Sequence, residues 1–261
     1  MEMNFTLPET AEKALKTGQK PAVAAAEPSL LQRAQKALAT HSPDGYSEAV
    51  ALFRDCLAGQ PNNASALAGL AETYAYWGFR RELEGKDAQS YYDLSYDAAE
   101  RAVQVASGLA DAHRAMAVAL RRGEKADPER RKAETLIAIE LAPEDGQAWY
   151  EHWKAFGYDP EDPAIAKALD FEPKLFPAHH DLAVALCEHG RLDEAIDRMR
   201  SALEMMPRNG LGLYNLAMFL HRKGIDEGAR RIIRHAATVC PGDPLVAMGL
   251  SLIEPEAGGA R

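Results

Sequence analysis

The residues of this 261-residue chain with the chemistry to hold a metal or attack a bond are eight histidines, three cysteines and 39 carboxylates, and their spacing decides whether they act together. A structural zinc site needs about four imidazole, thiolate or carboxylate donors at converging positions. His179 and His180 are adjacent, so on a helix they point to different faces. His113, His152 and His179 fall on apolar helical stripes, and no Cys, Asp or Glu joins them at a ligand spacing. Cys56, Cys187 and Cys240 are odd in number and also lie on apolar stripes, which predicts buried structural thiols. Asp159, Glu161 and Asp162 stand in the loop Gly157-Tyr158-Asp159-Pro160-Glu161-Asp162-Pro163, where they read as solvated turn and capping residues rather than an acid/base pair. There is no phosphate loop, dinucleotide glycine fingerprint or nucleophile elbow. The chain is therefore expected to be no enzyme and to hold neither metal nor cofactor.

Thirty Lys and Arg against 39 Asp and Glu leave a net charge of −9, which repels a phosphate backbone and argues against a nucleic-acid partner. The runs Arg121-Arg122, Arg130-Arg131-Lys132 and Arg230-Arg231 read as solvated faces interleaved with acids. No apolar stretch approaches the roughly 20 residues of a membrane span. The start Met-Glu-Met-Asn and the short run Ala22 to Ala26, closed by Glu27 and Pro28, do not form a secretory leader. As written the chain is expected in the cytoplasm, or in a periplasm if a leader has been trimmed.

The elements that would position these residues announce themselves by repetition. A phrase of small residue, apolar stripe, proline and polar turn recurs, as in Ala202-Leu203-Glu204-Met205-Met206-Pro207-Arg208-Asn209 and Ala138-Ile139-Glu140-Leu141-Ala142-Pro143-Glu144-Asp145. The prolines stand at 61, 143, 173, 207 and 241, with a degenerate mark at Ser107, and the gaps cluster around 34 residues. Each proline ends a helix by removing a backbone donor and pushing its predecessor out of the helical region. The next helix then carries a stripe at its fourth, seventh, eighth and eleventh places, such as His179, Leu182, Ala183 and Leu186 or Leu213, Leu216, Ala217 and Leu220. Ala71, Ala117, Ala183 and Ala217 at the eighth place allow close approach, whereas Trp153 there predicts that the middle of the array splays. Turn glycines are expected at Gly78, Gly123, Gly157, Gly190 and Gly224.

With these residues in place, the chain resembles the tetratricopeptide-repeat family over roughly residues 46 to 253, most clearly from Phe176 to Asn209 with Gly190-Arg191-Leu192-Asp193-Glu194-Ala195. The resemblance implies an all-α, right-handed superhelix of about five to six helix pairs. The expected division is 1–28 as a flexible N-terminal segment with a short helix around Pro8 to Thr17, 29–253 as solenoid and 254–261 as a frayed tail. By the same resemblance, places 2, 5, 6, 9, 12 and 13 of each first helix face the concave side, giving Tyr76, Arg114, Val118, Arg121, Arg122, Tyr150, Lys154, His180, Val184, Tyr214, Asn215 and Met218. Of the Lys and Asn set with which some family members grip a C-terminal carboxylate, only Asn215 and Arg114 match loosely.

The period breaks in the second unit, where the stretch Phe79 to Tyr96 holds about a dozen extra residues and predicts longer helices. Two aromatic groups give a second pointer, one around Tyr74 to Tyr96 and one around Trp149 to Phe176. Either they are core, as stripes at helical spacing usually are, or they line an apolar cleft bounded by Trp77, Tyr92, Trp149 and Trp153. The leading expectation is an adaptor holding a partner-protein segment on the concave face. The alternative is a carrier of a lipid, sterol or other apolar small molecule, like the bacterial periplasmic tetratricopeptide-like proteins that work beside transporters.

Overall fold

The computed structural model describes residues 28–255. The expected N-terminal segment, its short helix and the C-terminal tail lie outside the described residues, apart from Pro28 and from Glu254 and Pro255. Thirteen helices follow one another among the described residues. They form six antiparallel pairs: α1 (Leu30–Leu38) with α2 (Pro43–Gly59), α3 (Ala64–Leu83) with α4 (Gln89–Val105), α5 (Ala110–Ala119) with α6 (Pro128–Leu141), α7 (Gly146–Ala155) with α8 (Pro163–Phe171), α9 (Phe176–Glu188) with α10 (Leu192–Met205), and α11 (Gly210–Arg222) with α12 (Asp226–Val239). The unpaired α13 (Pro244–Ile253) covers the end of the stack.

Each recurring mark stands two residues beyond the end of an outer helix, from Pro61 after α2 to Pro241 after α12, with Ser107 after α4. After four of the six marks a polar residue caps the next helix, while α5 and α9 start after Leu109 and Leu175 without a side-chain cap. Asn63, Asp145, Asn209 and Asp243 accept from the backbone amides of Ala66, Gln147, Gly212 and Leu245 at 3.0, 2.8, 2.8 and 2.9 Å, each cap contributing about 1 kcal/mol. Asp162 likewise caps α8 through Ala164 N at 2.8 Å. Gly123, Gly157, Gly190 and Gly224 take the positive φ expected of turn glycines. Gly78 does not: the second unit's extra residues carry α3 past it, and Gly85 makes the turn instead with φ +68°.

The enlarged pair has the longer helices its length requires, 20 residues in α3 and 17 in α4 against 10 and 14 in the pair that follows. Ala71, Ala117, Ala183 and Ala217 are fully buried, which lets neighbouring pairs close up. Trp153 occupies the equivalent place with no exposed surface, and beside it the backbones of α7 and α9 stand apart and meet through side chains, whereas those of α3 and α5 approach closely. The array also curves back on itself. His41, in the α1–α2 turn, lies 6.2 Å from the ring of Phe176 at the start of α9, and Arg80 of α3 reaches Asp243 at the start of α13.

Candidate functional site

The curvature leaves a central cavity of about 930 Å³. Its wall comes from the first helix of successive pairs: Leu38 of α1, Glu72 and Tyr76 of α3, Asp111 and Arg114 of α5, Gln147, Tyr150 and Glu151 of α7, and Phe176 and Pro177 of α9. Glu204 and Met205, at the end of α10, complete it. His41, whose φ of +47° turns the chain sharply, closes one side with its ring 5.8 Å from that of Tyr76. Burial pushes its imidazole down to about 4, helped by His180, so it is neutral at ordinary pH. A second cavity of about 1070 Å³ adjoins the first, sharing His41, Met205 and Met206, and opens between the α1–α2 turn and the turns preceding α11 and α13.

Polar groups in the wall and behind it form two networks. In the first, Arg114 donates through Nη2 to Asp111 at 3.0 Å and through Nη1 to Gln147, while its Nε lies 3.2 Å from Glu72 Oε1. Those last two atoms are not aligned for a hydrogen bond, and neither has another partner among the described residues. Burial pushes the Glu72 carboxyl up to about 7, against the pull of Arg114. In the second, the Tyr150 hydroxyl donates to Asp181 at 2.6 Å, and Asp181 lies 2.9 Å from His180 Nδ1. Asn215 Nδ2 lies 2.9 Å from His180 Nε2. Donation by Asn215 makes Nε2 the acceptor and leaves Nδ1–H for Asp181, so the chain of four residues ties α7, α9 and α11 together. Beneath Tyr150, Lys154 and Glu151 pair at 2.6 Å with almost no exposure, and the ammonium sits 4.3 Å from the Tyr150 ring. Burial and the nearby Arg121 lower the Lys154 ammonium to about 8.

No protein-family profile matches the sequence, and no curated protein matches it. Solved structures do. The chain is similar to human IFIT1 in its dimer with m7Gppp-AAAA (16% identity, TM-score 0.66, covering 94% of this chain and 57% of that one). It is similar to TTC0263, a thermophilic tetratricopeptide-repeat protein of Thermus thermophilus (18%, 0.56, covering 73% and 98%). It is also similar to a chain of the APC/C hetero-tetramer Cut9-Hcn1 (16%, 0.59, covering 85% and 43%). The fold is that of a tetratricopeptide-repeat solenoid. This chain spans about half the length of the IFIT1 and Cut9-Hcn1 chains it matches.

In this solenoid the residues expected to meet a ligand separate into three groups. Tyr76, Arg114 and Tyr150 line the central cavity. Arg121, Lys154, His180 and Asn215 lie on the inner side but bond or face one another behind the wall. Val118 is buried, Met218 joins the core, and the ring of Tyr214 packs on Gly249 of α13. With Arg114 held by α5 and α7 residues and Asn215 by His180, the two loose matches to a carboxylate grip do not converge.

The four rings expected to bound an apolar cleft do not share one. Trp77 lies on the outer side, 5.2 Å from Tyr91, beside a shallow groove between α2 and α4. Tyr92 is wedged against Gly78 and Gly123 with its hydroxyl bonded to Glu82 at 2.5 Å. The Trp149 indole donates to Pro143 O at 2.8 Å under the ammonium of Lys167, and Trp153 is core, its indole donating to Asp159 O at 2.7 Å. Consecutive residues on a helix point about 100° apart, which is why Tyr76 and Tyr150 face inward while Trp77 and Trp149 do not.

The reading of the Arg runs as solvated also changes at Arg121, whose Nε is buried behind the wall, and at Arg131, whose side chain is 12% exposed and turns toward Glu151 at 3.8 Å. Cys187 is buried, and Cys56 and Cys240 are partly so; all three are free thiols. Among the described residues no group of three or more His, Cys, Asp or Glu is placed to hold a metal, and no helix is long and apolar enough to cross a membrane. The acids of the cavity wall are absent from the residues expected to meet a ligand, yet Glu72, Asp111 and Glu151 stand at places 9, 2 and 6 of their helices, inside the pattern that selects Tyr76 and Tyr150. The same places, read for acids as well as for aromatic and basic residues, find them.

Proposed function

We propose that this chain is a non-catalytic scaffold that holds a segment of a partner protein in its concave channel, with Tyr76, Arg114 and Tyr150 touching the partner. The observation that carries the reading is the central cavity of about 930 Å³ walled by the first helices of five successive pairs. A volume of that order takes several residues of an extended or helical segment. The similarity to a chain of the Cut9-Hcn1 hetero-tetramer supports the use of such a surface in protein assembly. The acidic wall favours a protein ligand over the RNA cap with which IFIT1 was solved. Nor does an apolar carrier gain support, since the rings assigned to its cavity point to four different places.

A random 12-residue peptide library displayed on phage and selected against the full chain tests the reading. Ser65 and Ser201 line the cavity with small side chains, so Ser65→Trp and Ser201→Trp fill it without removing a core contact. Selected peptides should bind the filled variants at least tenfold more weakly. Peptides that bind both forms equally would place recognition elsewhere and end the concave-face reading.

A further inference from the structure

The cavity wall carries a charge imbalance that its own ion pairs do not remove. Glu72, Asp111, Glu151, Glu172 and Glu204 face it against only Arg114 and Lys174 among the described residues. Lys154, with Arg121 and Arg131 nearby, compensates Glu151 from behind. Arg114 must then serve Glu72 at 3.2 Å, Asp111 at 3.0 Å and Asp145 at 4.0 Å, one guanidinium for three carboxylates. Glu72 is only 6% exposed, and its Oε1 accepts no hydrogen bond from the described residues. The Arg114 guanidinium, shared with two other carboxylates and not hydrogen-bonded to this oxygen, compensates Glu72 only in part, which leaves room for a second cation.

The same wall presents the rings of Tyr76, Tyr150 and Phe176. Rings of this kind attract a cation through their negative faces and cover its methylenes. Tyr150 already does so for Lys154 at 4.3 Å.

We infer that the cavity takes a lysine or arginine side chain of the partner segment, its charged end among Glu72, Glu172 and Glu204 and its methylenes on Tyr76 and Phe176. The inference rests on the scaffold reading and narrows it to basic segments. The acidic wall is what chooses the occupant, because a neutral or acidic segment would leave the carboxylates uncompensated and add to their repulsion.

The peptide selection described above distinguishes the two ideas. Peptides blocked by Ser65→Trp should share a Lys or Arg at one fixed place. Replacing that residue by norleucine should weaken binding at least tenfold. On the protein side, Glu172→Gln with Glu204→Gln should weaken the same peptide at least fivefold with an unchanged melting curve; Glu204 is exposed and Glu172 half-buried, so Glu204→Gln alone, expected to weaken binding at least twofold, carries the test if the double variant melts lower. Selected peptides lacking a cation, or indifferent to the double substitution, overturn the inference and leave the scaffold standing. A selection that yields no peptide blocked by the filled cavity removes both. Spermidine serves as the small-amine probe: if it binds the full chain in the cavity as tightly as the selected peptide, the site is one for free amines and the peptide inference fails.

Discussion

Arg80 and Asp243, 163 residues apart, meet at 2.5 Å and join the last turn of α3 to the first turn of α13. Arg80 also holds Glu84 at 2.7 Å, and its side chain is 8% exposed. Asp243 does two jobs, since the oxygen that meets Arg80 also caps α13. The pair closes the curved array beside the second cavity, which both residues line.

Substitution at Asp243 should separate those jobs. Asp243→Asn keeps an oxygen for the cap and loses the charge, and is expected to cost about 1–2 kcal/mol. Asp243→Ala loses both and should cost about 2–4 kcal/mol. Urea denaturation of the two variants checks the order; equal losses would mean that the contact with Arg80 contributes nothing beyond the cap.

Trp153 sits in the core between α7 and its neighbours and has no exposed surface. Trp153→Ala should cost about 3–5 kcal/mol, read as a lowered denaturation midpoint. A loss under about 1 kcal/mol would mean that α7 and α9 collapse onto the vacated space.

Two glycines should respond to alanine with opposite signs. Gly59 ends α2 with no atom within 4 Å of an added Cβ, so Gly59→Ala should raise stability by about 0.5–1 kcal/mol through reduced freedom of the unfolded chain. Gly69 lies inside α3, where an added Cβ would crowd the ring of the fully buried Phe53. Gly69→Ala should therefore destabilise by about 1–3 kcal/mol despite the better helix propensity. Thermal melts of both variants check the pair of signs.

Glu72 gives the fold a pH dependence. Its carboxyl titrates near 7 in the folded state against an ordinary value of 4.5, chiefly through burial. The folded state thus keeps the proton longer, and ionisation takes stability away as pH rises from about 4.5 to about 7. Glu72→Gln removes that slope. The variant's stability relative to the parent should therefore be higher at pH 8 than at pH 5, by at most about 3 kcal/mol. Denaturant titrations at about pH 5 and pH 8 check it; a constant difference would show that Glu72 ionises like a solvated glutamate.

Much of this was legible in the residue order because helix signals are local. Proline two residues past five of the six outer helices, Asn or Asp at four of the six caps that follow and Ala at most of the eighth inner places each act within a few turns of chain, and they locate most of the pairs without reference to anything distant. Gly78 departs from the expected turn for a related reason: a turn glycine and a helix-interior glycine look alike until the ring of Tyr92, packed against it, explains the missing side chain. Aromatic content draws attention to Trp77, Tyr92, Trp149 and Trp153. Content, however, says nothing about helix face, and the faces send these rings outward or into the core.

Sequence alone therefore settled the repeat, most of the helix boundaries and which helix face is apolar, since all three follow from residue spacings within about three turns of helix. The meeting of Arg80 with Asp243, the seating of His41 against Phe176 and the acidic cavity between them were decided by the folded array. Each pair is rotated on the one before it by the volumes packed at their seam. The sum of those rotations over six pairs, with Trp153 widening one seam, sets how tightly the array curves and which side chains face one another across its centre.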